Sequence, residues 1–321
     1  MLREILLPSG YSESLPAEMV LDNAEAGDEV LVKVPKGAQQ PLNFLPLSGK
    51  GISLKISAYG TVVDHIIVRN VPSLRSQGPE CKNGETSIFS GIQDVTLRTF
   101  QAHHAQGDGL RVSKCGAVIL IYPKIHHNGE SGFEPSECNH VEVHQGEFWD
   151  NNVVGHSEGK IGWDRGEMKA WRCKDVFVFN TYFHDSLAGA ALWADGLCER
   201  VHVVESRFKH CFGTAIHAEI VTESVKIRGG LVENCGYGYP EAKDWEYATF
   251  DGIRIDSVPE TSIVGLTMNA NMRYPVYVAN TGRENLQTSR VYVEGGYGVQ
   301  VYVPKWLEPK PIVTGAPMHE V

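Results

Sequence analysis

Three carboxylates stand at matching places in the chain. Asp195, Glu219 and Asp256 each lie three residues after an apolar anchor, namely Leu192, Ile216 and Ile253. One residue after those anchors come Trp193, His217 and Arg254, and Glu134 takes the same place after Phe133. Residues two apart on a strand share a face, so each carboxylate belongs beside the side chain two positions before it. If successive strands stack, neighbouring carboxyls fall about 5 Å apart and next-nearest ones about 10 Å apart. A retaining glycosidase needs roughly 5–5.5 Å and an inverting one roughly 6.5–9.5 Å. Stacked carboxylates also repel, which raises at least one pKa and supplies a general acid. Asp195, Glu219 and Asp256 are therefore the candidate catalytic residues. Trp193 offers a flat apolar face to a sugar ring, and Arg254 suits a carboxylated sugar. Together with His217 and Glu134 they form the candidate binding set. The plainer alternative is a solvent-facing sheet surface, charged against aggregation.

A second set of polar residues recurs at a turn. His103, His126, Trp149 and His184 occupy one position of it, and His104, His127, Asp150, Asp185, His210 and Asn234 the next. Stacked imidazoles with an aspartate can hold a divalent metal, which makes His104, His127 and Asp150 the weak metal candidates. A hydrogen-bonded turn ladder is the simpler expectation, so no metal or other cofactor is favoured. A phosphate-cradling glycine loop, a nucleophile elbow and a helical His-Glu-x-x-His are all missing.

The elements that position these residues follow from a repeat. An apolar-x-apolar pair begins at Val95, Val118, Val141, Val176, Val201 and Val225, at intervals of 23, 23, 35, 25 and 24 residues. Seven residues after each start comes Ala102, Ile125, Phe148, Phe183, Phe208 or Val232. A third anchor follows at Leu110, Phe133, Leu192, Ile216 or Ile253. Three anchors per period, with two-residue alternation, predict three short strands per coil. One such coil cannot bury its inner face, but stacked coils can. The expected fold is all-β: a single right-handed parallel β-helix with coils of about 23–25 residues. A leucine-rich repeat shares the period but not this residue pattern. Cysteines test the register, because Cys115, Cys138, Cys173 and Cys198 each precede a strand start by three residues, while Cys211 and Cys235 each follow one by ten. They are expected as reduced thiols stacked in a ladder.

The expected organisation is an N-terminal cap with its first strands over 1–50, the stacked coils over 51–303, and a proline-rich extension over 304–321. A short capping helix is predicted over 17–24. Residues 72–85, with Cys81, read as a polar loop. Two insertions, 158–172 and 237–250, interrupt the rhythm, and the first holds an alternative loop site of Glu158, Asp164 and Glu167.

The stretch 190–234 resembles the right-handed parallel β-helix repeat family, the pectate-lyase-like fold. Leu192-Trp193-Ala194-Asp195, Val201-His202-Val203, Phe208 and Ile216-His217-Ala218-Glu219 carry the resemblance. It implies the fold, which serves lyases, hydrolases, epimerases and phage tail spikes alike. No specific enzyme family matches: the Arg-x-Pro-x-x-Arg stretch of pectate lyases is missing, and Gly107-Asp108-Gly109 only superficially echoes polygalacturonase elements.

The net charge of −10, without any basic block, excludes a phosphate-tracking nucleic-acid surface. No apolar run is long enough to span a membrane, and the opening residues are too short for a recognisable signal peptide. The function expected is that of a virion-associated β-helix, of phage tail-spike or minor-tail type, found on the virion or outside the cell after lysis. It would engage a host surface polysaccharide, with or without cleaving it. A homo-oligomer is expected, a trimer or an assembly with other virion proteins. The alternatives are a secreted polysaccharide lyase or glycoside hydrolase, and a purely structural subunit.

Overall fold

In the computed structural model the described residues are 95–105, 107–158, 165–238, 250–271, 273–280 and 286–321, together with seven strands between residues 2 and 76. The strands assemble into three parallel sheets of thirteen, ten and nine strands. One coil contains Asp175–Phe179 in the ten-stranded sheet, Tyr182–His184 in the nine-stranded sheet and Ala190–Asp195 in the thirteen-stranded sheet. The next coil repeats this with Arg200–Val204, Arg207–Lys209 and Ile216–Glu219. Val176 pairs with Val201, Phe183 with Phe208 and Leu192 with Ile216. Each apolar anchor therefore lies over its counterpart, and the period-two alternation turns the same side chains inward on every rung.

The three corners explain how such short strands close a coil. The strand ends carry single left-handed residues in columns: Gln145, Asn180 and Glu205 at one corner, His104, His127, Asp150 and Asp185 at the second, and Lys114, Glu137 and Arg172 at the third. One left-handed residue redirects the chain without a loop. For non-glycine residues that conformation costs roughly 1–2 kcal/mol, which the apolar interior must offset. Inside lie Val118, Val141, Val176, Val201 and Val225 in one column, and Leu110, Phe133, Met168, Leu192, Ile216 and Ile253 in another, all buried.

Two internal ladders follow the same register. Cys115, Cys138, Cys173, Cys198, Cys211 and Cys235 are all free and buried, as the spacing predicts. At the bend after the nine-stranded sheet, Asn128 Nδ2 donates to Asn151 Oδ1 at 2.8 Å and to the carbonyl of Ala102 at 3.2 Å. Those asparagines replace main-chain partners that a corner cannot supply.

The expected helix over 17–24 is not formed: Met19–Asp22 is a strand, paired in parallel with Ile66–Arg69. Eight residues are too few for a stable helix on local propensity alone, and the apolar run Met19-Val20-Leu21 accepts a sheet partner. Strands also occupy Leu2–Leu6, Glu29–Lys33 and Leu74–Ser76, the last inside the expected loop. Cys81 lies outside the described residues. Beyond 303, Ile312–Thr314 and Met318–Glu320 add further parallel rungs. Among the described residues no helix is long and apolar enough to cross a membrane.

Candidate functional site

On the outer face of the thirteen-stranded sheet, register builds two rows. Arg111 pairs with Glu134, Lys169 with Trp193, Trp193 with His217, and His217 with Arg254, which pairs with Tyr277. Phe133 pairs with Met168, so Lys169 stands beside Glu134 and completes that row. In the second row Trp171 pairs with Asp195 and Glu219 with Asp256, while the pairing of Ala194 with Ala218 sets Asp195 beside Glu219. The three predicted carboxylates thus come from consecutive rungs, as the spacing requires. Their neighbours Ala194, Ala218 and Ile255 belong to the apolar core, which fixes the carboxylates on the opposite, outer face.

The surroundings depart from the solvent-facing surface expected. Trp193, His217, Glu134, Glu219 and Asp256 are all buried. Asp195 and Arg254 keep partial exposure, with 16% and 19% of their side chains accessible. The reason is pairing: these groups are joined across rungs into a closed polar row. Lys169 Nζ lies 3.0 Å from Asp195 Oδ2 and 4.3 Å from the centre of the Trp193 ring. Trp193 Nε1 donates to Glu219 Oε2 at 3.2 Å, and its ring lies 4.8 Å from that of His217. Arg254 reaches Asp256 Oδ2 at 3.9 Å and Asp251 Oδ2 at 3.7 Å. Lys169 is the member of this row that counting from the repeat misses, because the 35-residue interval hides its rung.

Each end of the row holds a perturbed acid. At one end Arg111 Nη2 is 3.2 Å from Glu134 Oε1, and Arg165 Nη1 is 3.3 Å from Glu134 Oε2. Asp108, accepting from the Ser131 N–H at 3.0 Å, is pushed up to about 8 by burial and by the Glu134 carboxylate, against Arg165 and Arg111. At the other end burial raises Asp251 to about 6, against Arg254 and Arg273. Among the described residues neither Asp251 carboxyl oxygen meets a donor at ordinary hydrogen-bond distance, Arg254 Nη1 standing 3.7 Å from Oδ2. Burial beside the paired Glu134 carboxylate thus favours the protonated form of Asp108, an arrangement suited to general acid chemistry.

Residues 88–240 match the family model described as a right handed beta helix region. The three parallel sheets agree with it. This chain is a right-handed parallel β-helix. No curated protein and no solved structure matches it. A β-helix of this kind is consistent with a polysaccharide-binding or polysaccharide-cleaving protein.

Of the alternative loop site, Glu158 and Glu167 are among the described residues. Glu167 lies on the strand Gly166–Trp171 and is wholly buried. It accepts from the Asn151 main-chain N–H at 3.2 Å and from Asn151 Nδ2, closing the asparagine ladder. Burial raises it to about 8 although both contacts favour the carboxylate. Glu158 sits at the C-terminal end of the helical turn Val153–Ser157, and Asp164 lies outside the described residues. The paired histidines do stack as the spacing predicts. His103 lies over His126 at 4.7 Å, His104 over His127 at 5.1 Å, and His126 against Trp149 at 4.0 Å. His127 Nε2 is 3.4 Å from Asp150 Oδ2. Among the described residues no three His, Cys, Asp or Glu side chains come together in a way that could hold a metal ion.

Proposed function

We propose that the outer row of the thirteen-stranded sheet engages a polysaccharide and cleaves it. The observation that carries this reading is the set Lys169, Trp193, Asp195 and Glu219. It comprises an ion pair, an indole and a carboxyl anchored by that indole, drawn from three consecutive rungs. A structural sheet surface gains little from burying Lys169 and Glu219, because desolvation of such groups costs several kcal/mol per ion. A site that must position charge for a reaction has reason to bear that cost.

In this reading Glu219 cycles the proton, with Oε2 fixed by Trp193. Asp195, compensated by Lys169, is the second carboxylate at the scissile bond. The rung spacing of about 4.8 Å is nearer to the carboxyl separation of a retaining arrangement, about 5–5.5 Å, than to that of an inverting one. Arg254, His217 and Glu134 extend the binding surface along the row. Replacing Trp193 by Ala should weaken binding of a cleaved or bound polysaccharide by about 1–3 kcal/mol, the scale of removing a large apolar contact. Isothermal titration checks this, with Trp193→Phe as the variant that keeps an aromatic face. Unchanged affinity in Trp193→Ala would remove the row from sugar binding.

The proposed setting is a virion-associated spike acting on a host surface glycan, as a homo-oligomer and most simply a trimer. Its support is the fold together with six described cysteines that are free and buried, chemistry compatible with assembly in a reducing cell. Sedimentation equilibrium at micromolar concentration should return a trimer. A monomer would favour the secreted lyase or hydrolase, which would use the same row.

A further inference from the structure

Six of the thirteen histidines lie at one corner of the β-helix, where the nine-stranded sheet ends. They are His103, His104, His126, His127, His184 and His210. The corner geometry there is repeated with little variation. In each of two successive coils the last residue of a strand is a histidine, His103 or His126, and the next is a left-handed histidine, His104 at φ 57° or His127 at φ 54°. Turning the chain at that residue brings the two neighbouring rings together. His103 Nδ1 and His104 Nδ1 are 2.9 Å apart, and so are His126 Nδ1 and His127 Nδ1. The pairs are in register, His103 over His126.

We propose that each vicinal pair is a two-nitrogen chelate for a divalent transition ion of the copper(II) or nickel(II) type, with solvent completing the coordination. Two observations support this. First, two nitrogens 2.9 Å apart, each about 2.05 Å from a metal, subtend an angle of about 90° at that metal. A tetrahedral zinc angle would need a separation of about 3.3 Å, whereas tetragonal copper(II) and nickel(II) take right angles. Secondly, the corner is accessible: His104 is exposed, and His127 shows 41% of its side chain to solvent. The charge beyond the rings favours a cation as well, since Asp150 Oδ2 is 3.4 Å from His127 Nε2. On the next coil, His184 Nδ1 and Asp185 Oδ2 repeat the strand-end pair at 2.7 Å.

This differs from a three-ligand cage, which the described residues do not form. The unit is the pair within one corner, and its doubling comes from the repeat itself. The two ions would lie one rung, about 4.8 Å, apart.

Titrating the untagged full chain with copper(II) in a non-coordinating buffer tests the proposal. The expected result is two ions bound per chain, with nitrogen hyperfine structure in the electron paramagnetic resonance spectrum. His104→Asn and His127→Asn are the informative variants, because asparagine tolerates the left-handed conformation. Each should lose one ion, and the double variant both, at unchanged thermal stability. Copper uptake that survives in the double variant, or a signal without nitrogen coupling, would overturn the proposal. Displacement of the copper by equimolar zinc would overturn the right-angle geometry that selects the metal. If the double variant unfolds, His103→Gln with His126→Gln removes the other nitrogen of each pair and must give the same loss.

Discussion

Glu219→Gln should lower polysaccharide turnover by about 10²–10⁴-fold, the usual contribution of a positioned acid or base, and leave binding nearly unchanged. The amide keeps the shape of the side chain and an oxygen able to accept from Trp193 Nε1, now 3.2 Å from Glu219 Oε2. It cannot pass a proton. Asp195→Asn should give a loss of similar size for a different reason, because Lys169 then loses the carboxylate 3.0 Å from its ammonium. Asp256→Asn should cost least, since Asp256 lies one rung farther along and answers to Arg254 at 3.9 Å. Initial rates on a reactive polysaccharide, beside titrations of the same variants, separate turnover from affinity. Activity that survives all three substitutions would sink the assignment. The buried position of Glu167 within the asparagine ladder means that such activity would move to Asp108 and Glu134. The two alternatives differ in pH dependence. An Asp108 acid, raised to about 8, would hold activity through neutrality and lose it as pH rises past that value.

The coils were legible because their anchors are large, β-branched or aromatic, and evenly spaced. Val118, Val141, Phe148, Phe208 and Ile216 all fall on the rungs that counting assigns them. The thiol columns were legible for the same reason, as an independent residue type obeying the same period. Failure began where the period was interrupted. The strand Gly166–Trp171 places Met168 and Ala170 inward and Lys169 outward, but neither inward residue is β-branched, and the preceding insertion removes the count. Lys169 was therefore invisible as a partner of Asp195, and Glu167 was read as part of a loop. At residues 17–24 the error was of another kind. Local propensity allowed a helix, while the pairing of Met19 with Ile66, which no local pattern reveals, selected a strand.

The burial of the outer row was illegible for a third reason. Alternation reports which face a side chain takes, not what lies over that face. Glu219 and Asp256 point away from the core and are buried nonetheless. Their spacing was correct and their solvation was not, and solvation decides what such a carboxylate can do.

The largest stability effect expected is at Phe183. Its ring is wholly buried and stacked between two others, 5.1 Å from Phe148 and 4.9 Å from Phe208, with interplanar angles of 15° and 3°. Phe183→Ala should cost about 3–5 kcal/mol, the range for deleting a buried phenylalanine. Part of that is two aromatic contacts worth roughly 0.5–1.5 kcal/mol each. The position matters as much as the size. Phe148, Phe183 and Phe208 come from consecutive rungs, and in a solenoid each coil is stabilised only by its neighbours. A cavity at Phe183 weakens the contacts on both of its sides at once, so the stack should lose cooperativity there as well as stability. Urea unfolding followed by tryptophan fluorescence and by circular dichroism reads both quantities. The midpoint should fall sharply, and the two signals, coincident in the parent, should separate in the variant. Val232→Ala, in the same column but without a ring stack, should cost less and leave the signals coincident. A loss below about 1 kcal/mol at Phe183 would mean that the interior collapses to fill the space, and that the aromatic column is not what couples one coil to the next.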